Sequence, residues 1–353
     1  MKLALRALAA SLLAAAACSA PANLPELAQA ERQERDGELD QAVASYRAAQ
    51  RTCTRLEPVR RRKEICAMAL LGEAELLERQ GHSRQAIDAY AAIPARSGGD
   101  PPPSAQGLYR AGVLSIDAGD ERAGWTFLWK VVSDFPNEAF AGDAVGVLVR
   151  DGRHRNASAL AAELSRLVPL LARTQVADNL LWELADLAEH ELGDRAAARA
   201  YYDRIPAEYP ASGLRDDARW HAARLSREAG DARGAIERLR ALVRTREVAY
   251  LAGSYFSIWL DDAQLELGRV LRDDLGDLPA AAAAFRRLPE DYPDSILIDD
   301  SVLELADTLA RGGDRAGACA QLRRLAQRWP DSKYLRGRAP EISHRLDCPR
   351  KET

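Results

Sequence analysis

The sequence predicts an all-α solenoid of paired helices, and three recurring features indicate it: a glycine, a small residue five positions later, and a large apolar residue nine positions later. The glycines are Gly37, Gly81, Gly119, Gly152, Gly193, Gly230, Gly276 and Gly313. They lie 33 to 46 residues apart, a period that is typical of solenoids and other repeat arrays. Such an array presents a long surface to partners rather than an enclosed pocket for chemistry.

The residues around each glycine fit a turn between two helices. Glycine adopts the left-handed backbone conformation that ends a helix at low energetic cost. In five repeats an aspartate follows the glycine, and its side chain is expected to cap the second helix: Asp120, Asp194, Asp231, Asp277 and Asp314. The small residues, where the two helices are expected to cross closely, are Ala42, Ala86, Gly124, Ala157, Ala198, Ala235, Ala281 and Ala318.

Large residues and prolines complete the repeat. The residue nine positions after the glycine lies one helical turn beyond the small residue, so it is expected to fill the space between neighbouring helix pairs. These residues are Tyr46, Tyr90, Leu128, Tyr202, Leu239, Phe285 and Leu322, with Ala161 as the exception. Prolines expected to end the second helix are Pro136, Pro169, Pro210, Pro293 and Pro330.

These offsets resemble the tetratricopeptide repeat, a helix–turn–helix unit of about 34 residues. The clearest copy runs from Leu181-Trp182-Glu183-Leu184-Ala185 through Gly193-Asp194, Ala198 and Tyr202 to Tyr209-Pro210. The resemblance covers residues 25–335 and implies a right-handed superhelical solenoid of about eight repeats. It also implies that the first helix of each pair lines a concave groove.

The groove register of that family gives the candidate partner-binding residues. They are Tyr109, Glu183, His190, Asp217, Trp220, Arg224, Arg227 and Glu266, and the same register includes Val113, Leu187 and Ala263. Trp220 with Arg224 and Arg227 would combine an aromatic anchor with two planar hydrogen-bond donors, a combination enriched at binding hot spots. The alternative is that Trp220 packs between repeats and the two arginines are solvated.

Three stretches depart from the repeat pattern. Residues 94–104, which are rich in glycine and proline, are expected to form an irregular loop. Residues 250–272 are expected to form one longer first helix, because the glycine spacing there is the widest. Residues 336–353 follow the last repeat and are expected to form a C-terminal tail. Acidic pairs such as Asp261-Asp262 fall at the starts of first helices, where carboxylates are expected to cap exposed amides.

The N-terminus has the features of an export signal. Lys2 and Arg6 precede an apolar stretch over residues 7–17 that is too short to span a membrane. Because Cys18 follows that stretch, residues 1–18 resemble a bacterial lipoprotein signal, although Ala15 stands where that motif prefers leucine. The resemblance implies that Cys18 carries a lipid, that residues 19–24 form a tether, and that Ser19 directs the protein to the outer membrane. The alternative is an ordinary secretory signal cleaved near Ala20, which would leave a soluble periplasmic or secreted protein.

Four further cysteines fit an exported chain. An even number of cysteines in such a chain suggests disulfide bonds. Their positions favour the local pairs Cys53–Cys66 and Cys319–Cys348. Four free buried thiols are the alternative.

Charge and motifs favour a binding function over catalysis. The formal net charge is −4 at pH 7, so nucleic-acid binding is not expected. The sequence carries no nucleophile elbow, phosphate loop, dinucleotide fingerprint or zinc-protease motif, and it predicts no catalytic residue, metal site or cofactor. It does not predict the oligomeric state.

The sequence therefore favours a non-enzymatic scaffold for protein partners in the cell envelope, held at the membrane by an N-terminal lipid. In this respect the chain is similar to tetratricopeptide lipoproteins of outer-membrane β-barrel assembly and to the repeat region of periplasmic cell-division coordinators. The alternative is a periplasmic accessory protein that binds peptides or polysaccharides for an export or secretion system.

Overall fold

The computed structural model describes residues 24–245 and 257–349, and within these residues every regular element is helical. The predicted all-α repeat fold is therefore confirmed. The described chain divides into two compact units. The first contains residues 24–152 and 171–177, and the second contains residues 153–170, 178–245 and 257–349.

The first unit contains three consecutive helix pairs and a single-turn helix. The helices are α1 (Pro25–Arg35), α2 (Leu39–Thr52), α3 (Val59–Arg79), α4 (Ser83–Ala91), the single turn α5 (Ile93–Arg96), α6 (Pro101–Asp117) and α7 (Glu121–Asp134). The pairs are α1 with α2, α3 with α4, and α6 with α7. The long helical segment α8 (Ala139–Leu171) begins in this unit.

The second unit contains four further pairs. Its helices are α9 (Ala177–His190), α10 (Arg195–Glu208), α11 (Arg215–Glu228), α12 (Ala232–Val243), α13 (Leu260–Asp273), α14 (Leu278–Asp291), α15 (Ile298–Arg311), α16 (Arg315–Arg328) and α17 (Arg338–Arg345). The first helices of the pairs are α9, α11, α13 and α15, and α17 follows the last pair.

The small and large positions of the repeat form the core as expected. Six of the alanines are fully buried: Ala42, Ala86, Ala198, Ala235, Ala281 and Ala318. Gly124 replaces alanine where the helices approach most closely, since a Cβ there would lie 2.5 Å from Cγ1 of Ile116. The seven large residues are also buried: Tyr46, Tyr90, Leu128, Tyr202, Leu239, Phe285 and Leu322. In each of these pairs the two helices therefore cross closely at the small residue, and the large residue packs into the core.

The predicted turn chemistry is confirmed in seven of the eight repeats. The glycines with positive φ include Gly37, Gly81, Gly119, Gly193, Gly230, Gly276 and Gly313. The five predicted aspartates each accept a hydrogen bond from the backbone N–H three residues later, at 2.8 to 3.1 Å. Pro136, Pro210, Pro293 and Pro330 follow the ends of α7, α10, α14 and α16, as expected.

The prediction for the fourth repeat is wrong at Gly152. This glycine is buried within the helical segment α8. The break lies at Asn156, whose φ of −158° and ψ of 77° are not helical. Asn156 Oδ1 accepts a hydrogen bond from the Ala159 N–H at 3.0 Å, as the capping aspartates do elsewhere.

Moving the turn to Asn156 shifts the fourth repeat by three residues. Leu160 and Leu164 then stand four and eight residues after the cap, where alanine and the large residue stand in other repeats, and both are buried. Ala157 is only half-buried. Pro169 lies inside α8 instead of ending it.

The predicted loop over residues 94–104 is also largely wrong. Ile93–Arg96 form α5, and Pro101 begins α6. Proline is tolerated in the first helical turn, because the N–H groups there have no partner within the helix. Only residues 97–100 lie outside helices, with Gly98 and Gly99 at positive φ.

The segment before α13 and the C-terminal tail differ from expectation as well. Residues 250–256 of the predicted long helix lie outside the described residues, and the described part becomes helical only at Leu260. The tail predicted over residues 336–353 contains the helix α17, whose Ala339 and Ile342 are buried against the preceding repeat.

Two disulfide bonds join the local cysteine pairs. Cys53 is bonded to Cys66, which links the end of the first helix pair to α3. Cys319 in α16 is bonded to Cys348, which ties the segment after α17 to the last repeat. Cys18 and the predicted tether up to residue 23 lie outside the described residues.

Candidate functional site

A cavity of about 210 Å³ lies between α11, α12 and α13 of the second unit. Its lining residues are Trp220, Ala223, Arg224, Arg227, Leu239, Asp262, Leu265, Glu266 and Arg269. We call this the Trp220 cavity. Four of the residues predicted from the groove register, Trp220, Arg224, Arg227 and Glu266, therefore meet at one place.

The apolar part of the lining comes from the repeat core. Ala223, Leu239 and Leu265 are buried, and they contribute only apolar side-chain atoms. Trp220 is half-buried, and its ring stacks on that of Trp259 with centroids 5.0 Å apart and planes 12° apart. Trp220 thus packs between repeats, as the alternative interpretation expected, and it also lines the cavity.

Asp217 holds the second tryptophan of this stack. The indole Nε1 of Trp259 donates a hydrogen bond to Asp217 Oδ1 at 2.6 Å. Since a buried indole N–H needs an acceptor, Asp217 fixes the orientation of Trp259 and, through it, that of Trp220. Asp217 therefore positions the two stacked tryptophans. Its own side chain does not line the cavity.

The three arginines of the lining are held by carboxylates. Arg224 pairs with Glu189 of α9 and, at 2.8 Å, with Glu228. Burial alone would lower the pKa of Arg224, but the hydrogen bonds that it donates to Glu189 and Glu228 raise that pKa above the ordinary arginine value. The alternative of solvated arginines is thus wrong for Arg224, which is half-exposed and carries two ion pairs.

Arg227 and Arg269 are also each held by two carboxylates. Arg227 pairs with Glu266 and, at 2.8 Å, with Asp274. Arg269 lies 3.7 Å from Glu266 and 3.5 Å from Glu304 of α15. These pairs cross-link the first helices α11, α13 and α15 along one surface, and they fix the guanidinium groups around the cavity.

An aromatic cluster lies next to the cavity and centres on His221. The His221 ring stacks on Tyr202 at 5.1 Å and meets the edges of Trp182 and Trp259 at 5.4 and 6.4 Å. Burial lowers the pKa of His221 below the ordinary histidine value, and the nearby Arg224 lowers it further. The neutral ring therefore serves as an aromatic packing element between repeats.

The other predicted groove residues lie away from the cavity. Glu183 is half-buried on α9, and His190 is exposed with Nδ1 3.0 Å from Asp186 Oδ1. Tyr109 belongs to the first unit, where its ring packs on Phe140 at 5.4 Å. Leu187 and Ala263 are fully buried, so their assignment to a solvent-facing groove is wrong.

A buried charge network on α15 was not predicted. Glu304 is 4% exposed and accepts a hydrogen bond from Arg338 of α17 at 3.0 Å, and it also pairs with Arg272 of α13. Burial alone would raise the pKa of Glu304, but hydrogen bonds from Arg338 and Arg272 lower it. These partners lie more than thirty residues away in sequence, and Glu304 lies in the middle of the first helix α15, where nothing in the sequence singles it out.

The described residues hold neither a cluster of metal ligands nor a membrane-spanning helix. No group of three or more histidine, cysteine or acidic residues there has metal-binding geometry. None of the helices between residues 24 and 349 that the structure describes is long and apolar enough to cross a bilayer.

The sequence comparisons identify the repeat type. A model of the tetratricopeptide repeat family matches residues 180–212, 262–295 and 300–332, which fall on the helix pairs of the second unit. These three segments therefore match the tetratricopeptide repeat. No curated protein matches the chain.

Many solved structures match this chain. The C-terminal part of a repeat protein of this type from Cytophaga hutchinsonii is 9% identical, with a TM-score of 0.42, and the match covers 90% of this chain and 98% of that chain. PilF of Pseudomonas aeruginosa is 13% identical (TM-score 0.31, covering 81% and 96%). YrrB, described as a tetratricopeptide protein with an unusual peptide-binding site, is 12% identical (TM-score 0.37, covering 73% and 99%).

Proposed function

We infer that this chain is a non-enzymatic scaffold that binds a protein partner through the first helices of its second unit. We further infer that a lipid on Cys18 anchors it to the outer membrane, facing the periplasm, where it takes part in envelope assembly. The observation that carries the binding part is the Trp220 cavity, which lies between α11, α12 and α13 and combines a tryptophan with fixed charged groups.

The size and lining of the cavity support a protein partner. Pockets for small-molecule ligands usually measure about 300 to 1,000 Å³, whereas this cavity measures about 210 Å³. It therefore suits one large side chain of a partner that continues along the surrounding surface. Tryptophan and arginine are enriched at the centres of such interfaces, where neighbouring contacts exclude water.

The anchoring part of the proposal rests on the export signal over residues 1–18. The two disulfides add support, because disulfides form and persist in oxidising compartments such as the periplasm. A Cys18→Ser variant is expected to move from the membrane fraction to the soluble periplasmic fraction, and the lipidated peptide should disappear from its mass spectrum. Unchanged membrane retention of the variant would reject the lipid anchor.

A site-specific crosslink tests the scaffold function. A photoreactive phenylalanine derivative placed at Trp220 in the full chain, in its native membrane, is expected to form a discrete adduct with one envelope protein. The matched control carries the same derivative at Arg286, which is exposed on the second helix α14. Equal adducts at both positions, or none, would reject partner binding at the cavity, and retention of polysaccharide instead would favour the export accessory role.

A further inference from the structure

One charged group of the Trp220 cavity, the Asp262 carboxylate, lacks a hydrogen-bond or ion-pair partner among the described residues. This carboxylate is half-buried in the lining. The other four charged side chains of the lining, Arg224, Arg227, Glu266 and Arg269, are all ion-paired. Asp262 is thus the charged group of the cavity that remains available to a ligand.

The surroundings of Asp262 disfavour the ionised form of its carboxyl group. Burial raises the pKa of Asp262 above the ordinary aspartate value, Asp261 beside it raises this pKa further, and Arg269 offsets part of the rise. Asp261 itself accepts a hydrogen bond from the Ser295 hydroxyl at 2.6 Å. Asp300 accepts one from the Tyr334 hydroxyl and lies 3.8 Å from Lys333. A cation beside Asp262 would therefore favour its ionised carboxylate.

The rest of the lining suits the stem of a basic side chain. The methylene groups of lysine and arginine pack well on apolar surface while the charged end remains at a polar site. Ala223, Leu239 and Leu265 supply such a surface. The ring of Trp220 adds a face to which a cation is attracted.

We propose that the Trp220 cavity binds the side chain of a lysine or arginine from the partner protein, with its cationic group at the Asp262 carboxylate. This inference rests on the proposed scaffold function and specifies the chemistry of the partner. An acidic side chain is disfavoured, because each arginine of the lining already contacts two carboxylates and because Asp262 and Glu266 would repel it.

A positional-scanning array of nonapeptides tests the assignment with the full chain. The wild-type protein is expected to retain peptides with lysine or arginine at one position about tenfold better than the same peptides with norleucine, as a hydrogen bond to a charged group implies. Asp262→Asn should lose this preference while it still binds the array. The matched control Asp294→Asn removes the same charge at an exposed position and should keep the preference.

Each of the other outcomes would reject the binding of a lysine or arginine side chain. They differ in whether they also reject the scaffold function. Peptide binding with an acidic or apolar preference, or with a lysine preference that survives in Asp262→Asn, would reject the cationic side chain but leave the scaffold function standing. Absence of peptide binding by the wild-type protein would reject both. Thermal unfolding of the two variants at the wild-type temperature would verify that neither substitution acts through folding.

Discussion

Gly268 illustrates how a single residue sets the approach of two helices. It lies on α13, and a Cβ added there would come within 2.4 Å of Cε1 of Phe285 on α14. Phe285 is one of the large residues that fill the space between helices, and it is buried. The ring therefore occupies the volume that any larger residue at position 268 would need.

The substitution Gly268→Ala is expected to lower the free energy of unfolding. Overpacking of a well-packed core costs about 1 to 3 kcal/mol, and the better helix propensity of alanine offsets up to about 1 kcal/mol of that cost. A net loss of stability in urea unfolding is therefore expected. Gly213→Ala is the control, because nothing lies within 4 Å of a Cβ at that exposed position. An unchanged or higher stability of Gly268→Ala would contradict the packing argument.

The residue pattern predicts most turns because each turn depends on local chemistry. A glycine with positive φ and an aspartate cap are both encoded within four residues, so they can be identified from sequence. At Asn156 the same cap occurs without a glycine directly before it. Because the prediction relied on glycine, it placed the turn at Gly152 instead. The signal that identifies the true turn is Leu160 and Leu164, four and eight residues after the asparagine.

At the scale of elements, helices are joined by ion pairs between distant parts of the chain. Glu304 on α15 contacts Arg272 on α13 and Arg338 on α17. In the sequence, these residues do not differ from other charged residues on amphipathic helices. Which arginine reaches which carboxylate depends on how the helices pack, so this network could not be predicted.

The substitution Glu304→Gln is expected to destabilise the protein at pH 7 by about 2 kcal/mol. It removes one carboxylate partner of the buried Arg272, which keeps Asp273 and Asp307. The pKa of Glu304 is lowered in the folded protein. Its stabilising contribution is therefore complete above the ordinary glutamate pKa and is lost as the pH falls through that range and through the lowered value. The difference between wild type and variant, measured by urea unfolding from pH 7 to pH 3, should accordingly shrink on acidification.

The control for this prediction is Glu290→Gln, which removes an exposed carboxylate from α14. It should change the unfolding free energy by less than about 0.5 kcal/mol at every pH. A pH-independent difference for Glu304→Gln would show that shape, and not charge, accounts for its effect.

At the scale of the whole molecule, the repeat period is sufficient to predict the fold class, because the helix pairs share the same turn residues and the same small and large core positions. The binding site is different. Trp220, Asp262 and Glu266 lie on two first helices separated by the widest glycine spacing in the chain. The groove register identified Trp220 and Glu266, whereas Asp262 was expected to be a helix cap. Its exposure to the cavity depends on the packing of α11 against α13.

The most direct test of partner binding at the Trp220 cavity is fluorine NMR of the full chain with 5-fluorotryptophan at its six tryptophans. Addition of the best lysine-containing peptide from the array is expected to shift the Trp220 signal most, with a smaller shift of Trp259, which stacks on it. Single Trp→Phe variants assign the signals. The largest shift at Trp125 or Trp329, or no shift at saturating peptide, would contradict the account.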